Sequence, residues 1–179
     1  NYGWTISEVF IPKLYDGYIV SNRIYFLVVK INNSIIKSYF CSEFMNYRAM
    51  EKFKGNIQNK EEFLTNYMDP EDPNADEIFV RTRFIPHEDW LNSYPQYIQN
   101  KIYDQLGKIF HTITETIKDD LVCHNDNINI NKDLETKPII GFHIYGVDAL
   151  IDSQGIIKII EINGAPAFNV KTKYYNIPN

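Results

Sequence analysis

The stretch FHIYGVDALIDSQGIIKIIEINGAPAF, Phe142–Phe168, decides the fold. Two runs rich in β-branched residues flank Asp152-Ser153-Gln154-Gly155, a cluster of turn formers. The pattern reads as an antiparallel hairpin over Phe142–Asn163. A two-residue turn at Gln154-Gly155, with Ser153 opposite Ile156, sets Asp148 opposite Glu161 and Gly146 opposite Asn163. Side chains alternate along a strand, so Asp148, Glu161 and Asn163 leave one face of the sheet together.

Adjacent carboxylates repel each other unless something sits between them. A divalent cation relieves that penalty. Two carboxylates and a neutral amide are hard oxygen donors, suited to magnesium shared with phosphate oxygens. Asp148, Glu161 and Asn163 are therefore candidate metal ligands, and Gly146 is expected to leave space for a ligand. The competing reading is a polar-faced hairpin whose acids face water. Against it, FHIYGVDALI and IIKIIEI look buried on both faces.

Outward from the hairpin, Trp4–Ile11 reads as a strand stopped by Pro12, followed by a turn at Asp16-Gly17. Val20–Ile31 carries the strongest strand signal, and Ser34–Phe44 returns as its antiparallel partner across Asn32-Asn33. The signal weakens from Met45 to Pro95, where MDPEDPNADE reads as a surface loop. Gln96–Leu121 reads as a helix whose apolar stripe is Ile98, Ile102, Leu106, Ile109, Ile113, Ile117 and Leu121. CHNDNININ alternates Asn and Asp but lacks the central Gly and closing Glu of a calcium loop, and reads as an Asn-rich insertion.

The 179 residues suit one domain, and 44% hydrophobic content allows a sizeable core. A net charge of -5 with short, broken basic clusters argues against nucleic acid as a partner. No apolar run approaches a membrane span, and no secretory leader is visible. Cys41 and Cys123 lie far apart without a CxxC. The expectation is a soluble protein of a reducing compartment, the cytoplasm. Asn1 stands where an initiator methionine would, and the chain stops at Ile177-Pro178-Asn179, which fits a piece of a longer protein.

Asp148 and the run Glu161-Ile162-Asn163-Gly164-Ala165-Pro166-Ala167 resemble the end of an ATP-grasp domain of the tubulin–tyrosine ligase family. The resemblance implies an α+β fold, a mainly antiparallel sheet flanked by helices. Residues 1–179 would be the C-terminal part of that domain, with the half carrying the glycine-rich loop and phosphate lysine upstream. WTISEVFIPKLYDG is similar to the family's adenine-hinge strand, which implies that Glu8, Val9 and Phe10 contact the base through main-chain groups. SNRIYFLVV is similar to the aspartate-x-arginine strand, with Arg23 at the arginine; FLTNY resembles the leucine-threonine-asparagine motif, placing Thr65 and Asn66 near the nucleotide. Arg23 then has the catalytic role of binding a phosphate or acyl-phosphate oxygen.

The resemblance further implies ATP and Mg2+ as cofactors. The activity would be a carboxylate–amine ligase joining tyrosine or glutamate to a protein or peptide acceptor, of which a tubulin tail is one. Three positions depart from the pattern. Ile19 and Ser21 replace a lysine and an aspartate, and Tyr47 takes the register of a second arginine, with Arg48 one position late. Ile19 and Ser21 motivate the rival expectation of a non-catalytic nucleotide- or protein-binding module. His143 on the hairpin strand reads as a packed or edge residue rather than a base.

Overall fold

The computed structural model describes residues 9–31, 34–66, 83–118 and 140–166. One six-stranded antiparallel sheet organises them. Its strands are β1 (Val20–Ile31), β2 (Ser34–Phe40), β3 (Met45–Arg48), β4 (Phe84–Ile85), β5 (Ile140–Ile151) and β6 (Ile157–Asn163). The helices are α1 (Lys60–Phe63), α2 (His87–Asn92) and α3 (Gln96–Ile117). The sheet runs β4-β3-β1-β5-β6, with β2 also paired to β1. This is the α+β architecture expected from the sequence.

β1 is the centre of the sheet because both of its faces have work. Ile24, Phe26 and Val28 are buried under α2 and α3, while Arg23 and Tyr25 alternate onto the opposite face. Phe26 stacks on Phe110 of α3 with ring centroids 4.5 Å apart, and Phe40 of β2 stacks on the same ring at 5.2 Å. Trp90 of α2 closes the other end of this core, edge-on to Tyr94 and Phe44. α2 and α3 each begin directly after a proline, Pro86 and Pro95, where a missing N–H costs nothing.

The helix stripe differs from the expected one in its second half. Ile98, Ile102 and Leu106 are buried as expected, but the next steps of four fall on Phe110 and Thr114. Ile109, Ile113 and Ile117 are partly buried beside it. Thr114 tolerates burial because its hydroxyl donates to the Phe110 carbonyl at 2.7 Å. Leu121 lies outside the described residues.

Two expected strands are also corrected. The return strand Ser34–Phe44 stops at Phe40; Cys41 N–H donates to the Tyr25 carbonyl, and the chain then bends away. β3 takes over the remaining edge of β1, with Met45 opposite Arg23 and Tyr47 opposite Ser21. In the expected strand Trp4–Ile11, Val9, Phe10 and Ile11 carry no regular structure, and Val9 is 49% exposed. Its earlier residues, including Glu8, lie outside the described residues. The Asp16-Gly17 turn is present, with positive φ at both residues and Tyr15 bridged to Tyr18.

Candidate functional site

The hairpin of β5 and β6 delivers the expected pairing by a different route. Its loop is one residue longer on the β5 side than a two-residue turn at Gln154-Gly155. Asp152 N–H donates to the Ile156 carbonyl, and Gly155 N–H to the Asp152 carbonyl. The Asp152 carboxylate accepts the N–H groups of Gln154 and Ile156, both at 2.8 Å, and Gly155 supplies the φ of 72° that closes the turn. The pairing of Ile151 with Ile157 and Ala149 with Ile159 would then miss the acids by one residue. A β-bulge at Ile160, between the pairs Ala149–Ile159 and Asp148–Glu161, restores the register.

Asp148 therefore lies opposite Glu161, and Gly146 opposite Asn163. On the other side of β5, Asp148 lies opposite Arg23 of β1. The Arg23 guanidinium forks onto the carboxylate, Nε to Oδ1 and a terminal nitrogen to Oδ2 at 2.8 Å. Asn163 Nδ2 donates to Glu161 Oε1 at 2.8 Å and approaches Asp148 Oδ2 at 3.4 Å. The Asn163 amide, the neighbouring Asp148 carboxyl and the Arg23 charge hold the Glu161 carboxyl below its ordinary range, against the effect of burial. The two acids thus do not face each other bare, as pairing alone suggests; an arginine and an amide offset their repulsion.

Gly146 corrects a second expectation. A Cβ there would stand 2.8 Å from the Pro166 ring and 3.2 Å from Arg23 Cδ. The space is filled by the protein: Pro166 and the Arg23 stem pack over the bare backbone. Gly146→Ala is expected to push Pro166 outward and loosen the Arg23–Asp148 pair, costing about 1–3 kcal/mol. Urea denaturation of the variant beside wild type checks this, and equal midpoints would show that Pro166 yields freely.

Thr65 reaches the same face. Its hydroxyl lies 2.5 Å from the Ser21 hydroxyl, two residues before Arg23 on β1. The loop that carries it is pinned by Glu62, a buried carboxylate that accepts from the Lys54 N–H at 2.8 Å and the Asn59 amide at 3.0 Å. Those bonds, the Lys54 N–H foremost, hold Glu62 below the ordinary carboxylate range. Asn66 follows Thr65 and is exposed. Val9 and Phe10 belong to the segment tied by Lys13 N–H to the Ile151 carbonyl at 2.8 Å, the turn end of β5.

Sequence reasoning passed over the aromatic rim of the site. Tyr25 and Tyr47 flank Met45, their hydroxyls 3.5 and 3.8 Å from its sulfur, on the face that bears Arg23. Burial raises the Tyr25 phenol. Strand alternation from Arg23 identifies Tyr25 directly; Met45 and Tyr47 needed the pairing of β3. Arg48 stacks on the Tyr18 ring, 4.1 Å from its centroid, and lies opposite Val20 of the core face. The one-position displacement thus turns it off the site face. His143 is an exposed residue bonded through Nε2 to the Gly164 carbonyl at 2.7 Å.

Among the described residues, no three His, Cys, Asp or Glu side chains gather as a metal site. The donor set of Asp148, Glu161 and Asn163 is still chemically fit for magnesium. All three offer oxygen, the carboxylates supply the charge, and the amide presents its oxygen when turned over. No described helix is long and apolar enough to cross a membrane.

The profile of the Tubulin-tyrosine ligase family matches residues 14–177. The chain belongs to that family. Membership brings ligase chemistry in general and agrees with the antiparallel sheet and flanking helices. Comparison with curated proteins gives no significant match.

Proposed function

We infer that this tubulin-tyrosine ligase family member is the C-terminal part of an ATP-grasp ligase, dependent on ATP and Mg2+, that joins an amino acid to a protein or peptide carboxylate. The observation that carries the reading is the single sheet face holding Asp148, Glu161 and Asn163 beside Arg23. Asp148, Glu161 and Asn163 would hold the metal. The group they would hold, magnesium, supplies positive charge that offsets charge on the transferred phosphoryl group. Arg23 binds a phosphate or acyl-phosphate oxygen with its planar fork. Thr65 and Asn66 approach the nucleotide, and the segment Glu8, Val9 and Phe10 contacts adenine through its main chain. The acceptor carboxylate takes the γ-phosphoryl group, and an amine displaces phosphate from the acyl phosphate to form the amide. Tyrosine or glutamate is the added residue, and a tubulin tail is one acceptor of the required kind. The protein works in the cytoplasm.

A second reading, a non-catalytic nucleotide- or protein-binding module, is favoured by one observation. Ile19 is 2% exposed and the Ser21 hydroxyl is engaged by Thr65, so neither offers a charge to phosphate. Hydroxylamine separates the two. The full-length protein, given Mg-ATP, a carboxylate-bearing peptide and hydroxylamine, is expected to yield the peptide hydroxamate and inorganic phosphate. ATP binding without hydroxamate establishes the module instead.

A further inference from the structure

Both oxygens of Asp148 are occupied in this arrangement. Arg23 takes Oδ1 through Nε and Oδ2 through its terminal nitrogen, and Asn163 leans on Oδ2 as well. A divalent cation seeks those same lone pairs. A guanidinium and a metal ion on one carboxylate repel each other, so full coordination by Asp148 requires Arg23 to let go. Arg23 is free to do so sterically: it lies at the sheet surface, 26% exposed, with its stem over Gly146 and no Cβ in its way.

We propose that Arg23 is the protein's own occupant of the cation seat, holding Asp148 until a divalent ion enters and then turning its fork to the nucleotide phosphates. The exchange rests on the magnesium–nucleotide reading above and deepens it. It gives Arg23 two alternative anionic partners, and it makes metal entry and phosphate capture favour each other. Metal frees the guanidinium, and phosphate gives the freed guanidinium somewhere to bind. The coupling is reciprocal, as any linkage between two sites must be. It also explains how two facing acids persist on a sheet before any ion arrives.

The test uses Mn2+ alone, without nucleotide, on full-length protein, with free Mn2+ read by electron paramagnetic resonance. Arg23→Gln is expected to bind Mn2+ about tenfold more tightly than wild type, because the competing charge is gone. Asp148→Asn added to that variant is expected to remove the binding. Equal Mn2+ affinity in wild type and Arg23→Gln, still dependent on Asp148, overturns the exchange and leaves the metal site standing. Absence of Asp148-dependent Mn2+ binding in both proteins overturns the metal reading and the exchange together. Should Arg23→Gln fail to fold, Arg23→Lys carries the test, since an ammonium cannot make both bonds of the fork. Severalfold tighter Mn2+ binding by Arg23→Lys supports the exchange, and unchanged binding overturns it.

Discussion

Glu161→Gln in the full-length protein is expected to cost ligase turnover more than the roughly 10- to 100-fold that loss of a mere supporting group at a metal site causes. The substitution keeps the shape of the side chain and removes one charge from the proposed donor set. Asn163 still has an oxygen to donate to at that position, so the hairpin persists. Without metal, the variant is expected to melt close to wild type, because Glu161 is exposed and Arg23 and Asn163 already offset its repulsion with Asp148. With Mg-ATP, wild type is expected to gain stability by binding and the variant to gain little. Thermal melts with and without Mg-ATP, beside an ATP-turnover assay, read both quantities. An acid that serves only the fold gives the opposite pattern: a lower melt and an unchanged response to nucleotide.

Phe26→Ala is expected to be the most damaging change to the fold itself, costing about 3–5 kcal/mol. The ring is fully buried and stacks on Phe110, the residue that also receives Phe40. Its removal opens a cavity where the central strand, its β2 neighbour and α3 meet, and three backbones cannot close on it together. A whole domain has only about 5–15 kcal/mol of net stability, so a large share would go. Ile160→Ala is the matched control. Ile160 is 57% exposed at the bulge, and its truncation is expected to stay within about 0.5 kcal/mol. Urea denaturation of both variants reads the difference, and similar midpoints would show that the Phe26 site collapses without cost.

The sequence made the hairpin, the long central strand and the long helix legible because each is a sustained periodic signal. Val20–Ile31 has the same bounds in both readings. It was silent where structure depends on partners distant in the chain. β3 and β4 are short, and they exist because the edge of β1 beyond β2 was open. The stripe of α3 was misread past Leu106 because isoleucines at 109 and 113 outbid a buried threonine, whose internal hydrogen bond no hydropathy pattern reveals. Within the site, facing carboxylates followed from alternation alone. Their arginine partner did not, since Arg23 lies 125 residues from Asp148 and reaches it only through strand pairing. The glycine opposite Asn163 suggests room for a ligand in the sequence, and a proline from the same hairpin's tail fills it.

The loop at Ser153–Gly155 and the bulge at Ile160 are a matched pair of length changes, and this has a genealogical consequence. In a chain of unchanged length, either one alone would slide one strand past the other and send Glu161 to the far side of the sheet. Taken together they cancel. A descendant that lost one loop residue would leave Asp152 paired with Ile156 and every pair beyond it, and one that lost Ile160 would straighten β6 without parting Asp148 from Glu161, so these are the two places where the hairpin can shed a residue and keep its acids face to face. Relatives of this hairpin are therefore to be sought at spacings one or two residues shorter as well as at the present one.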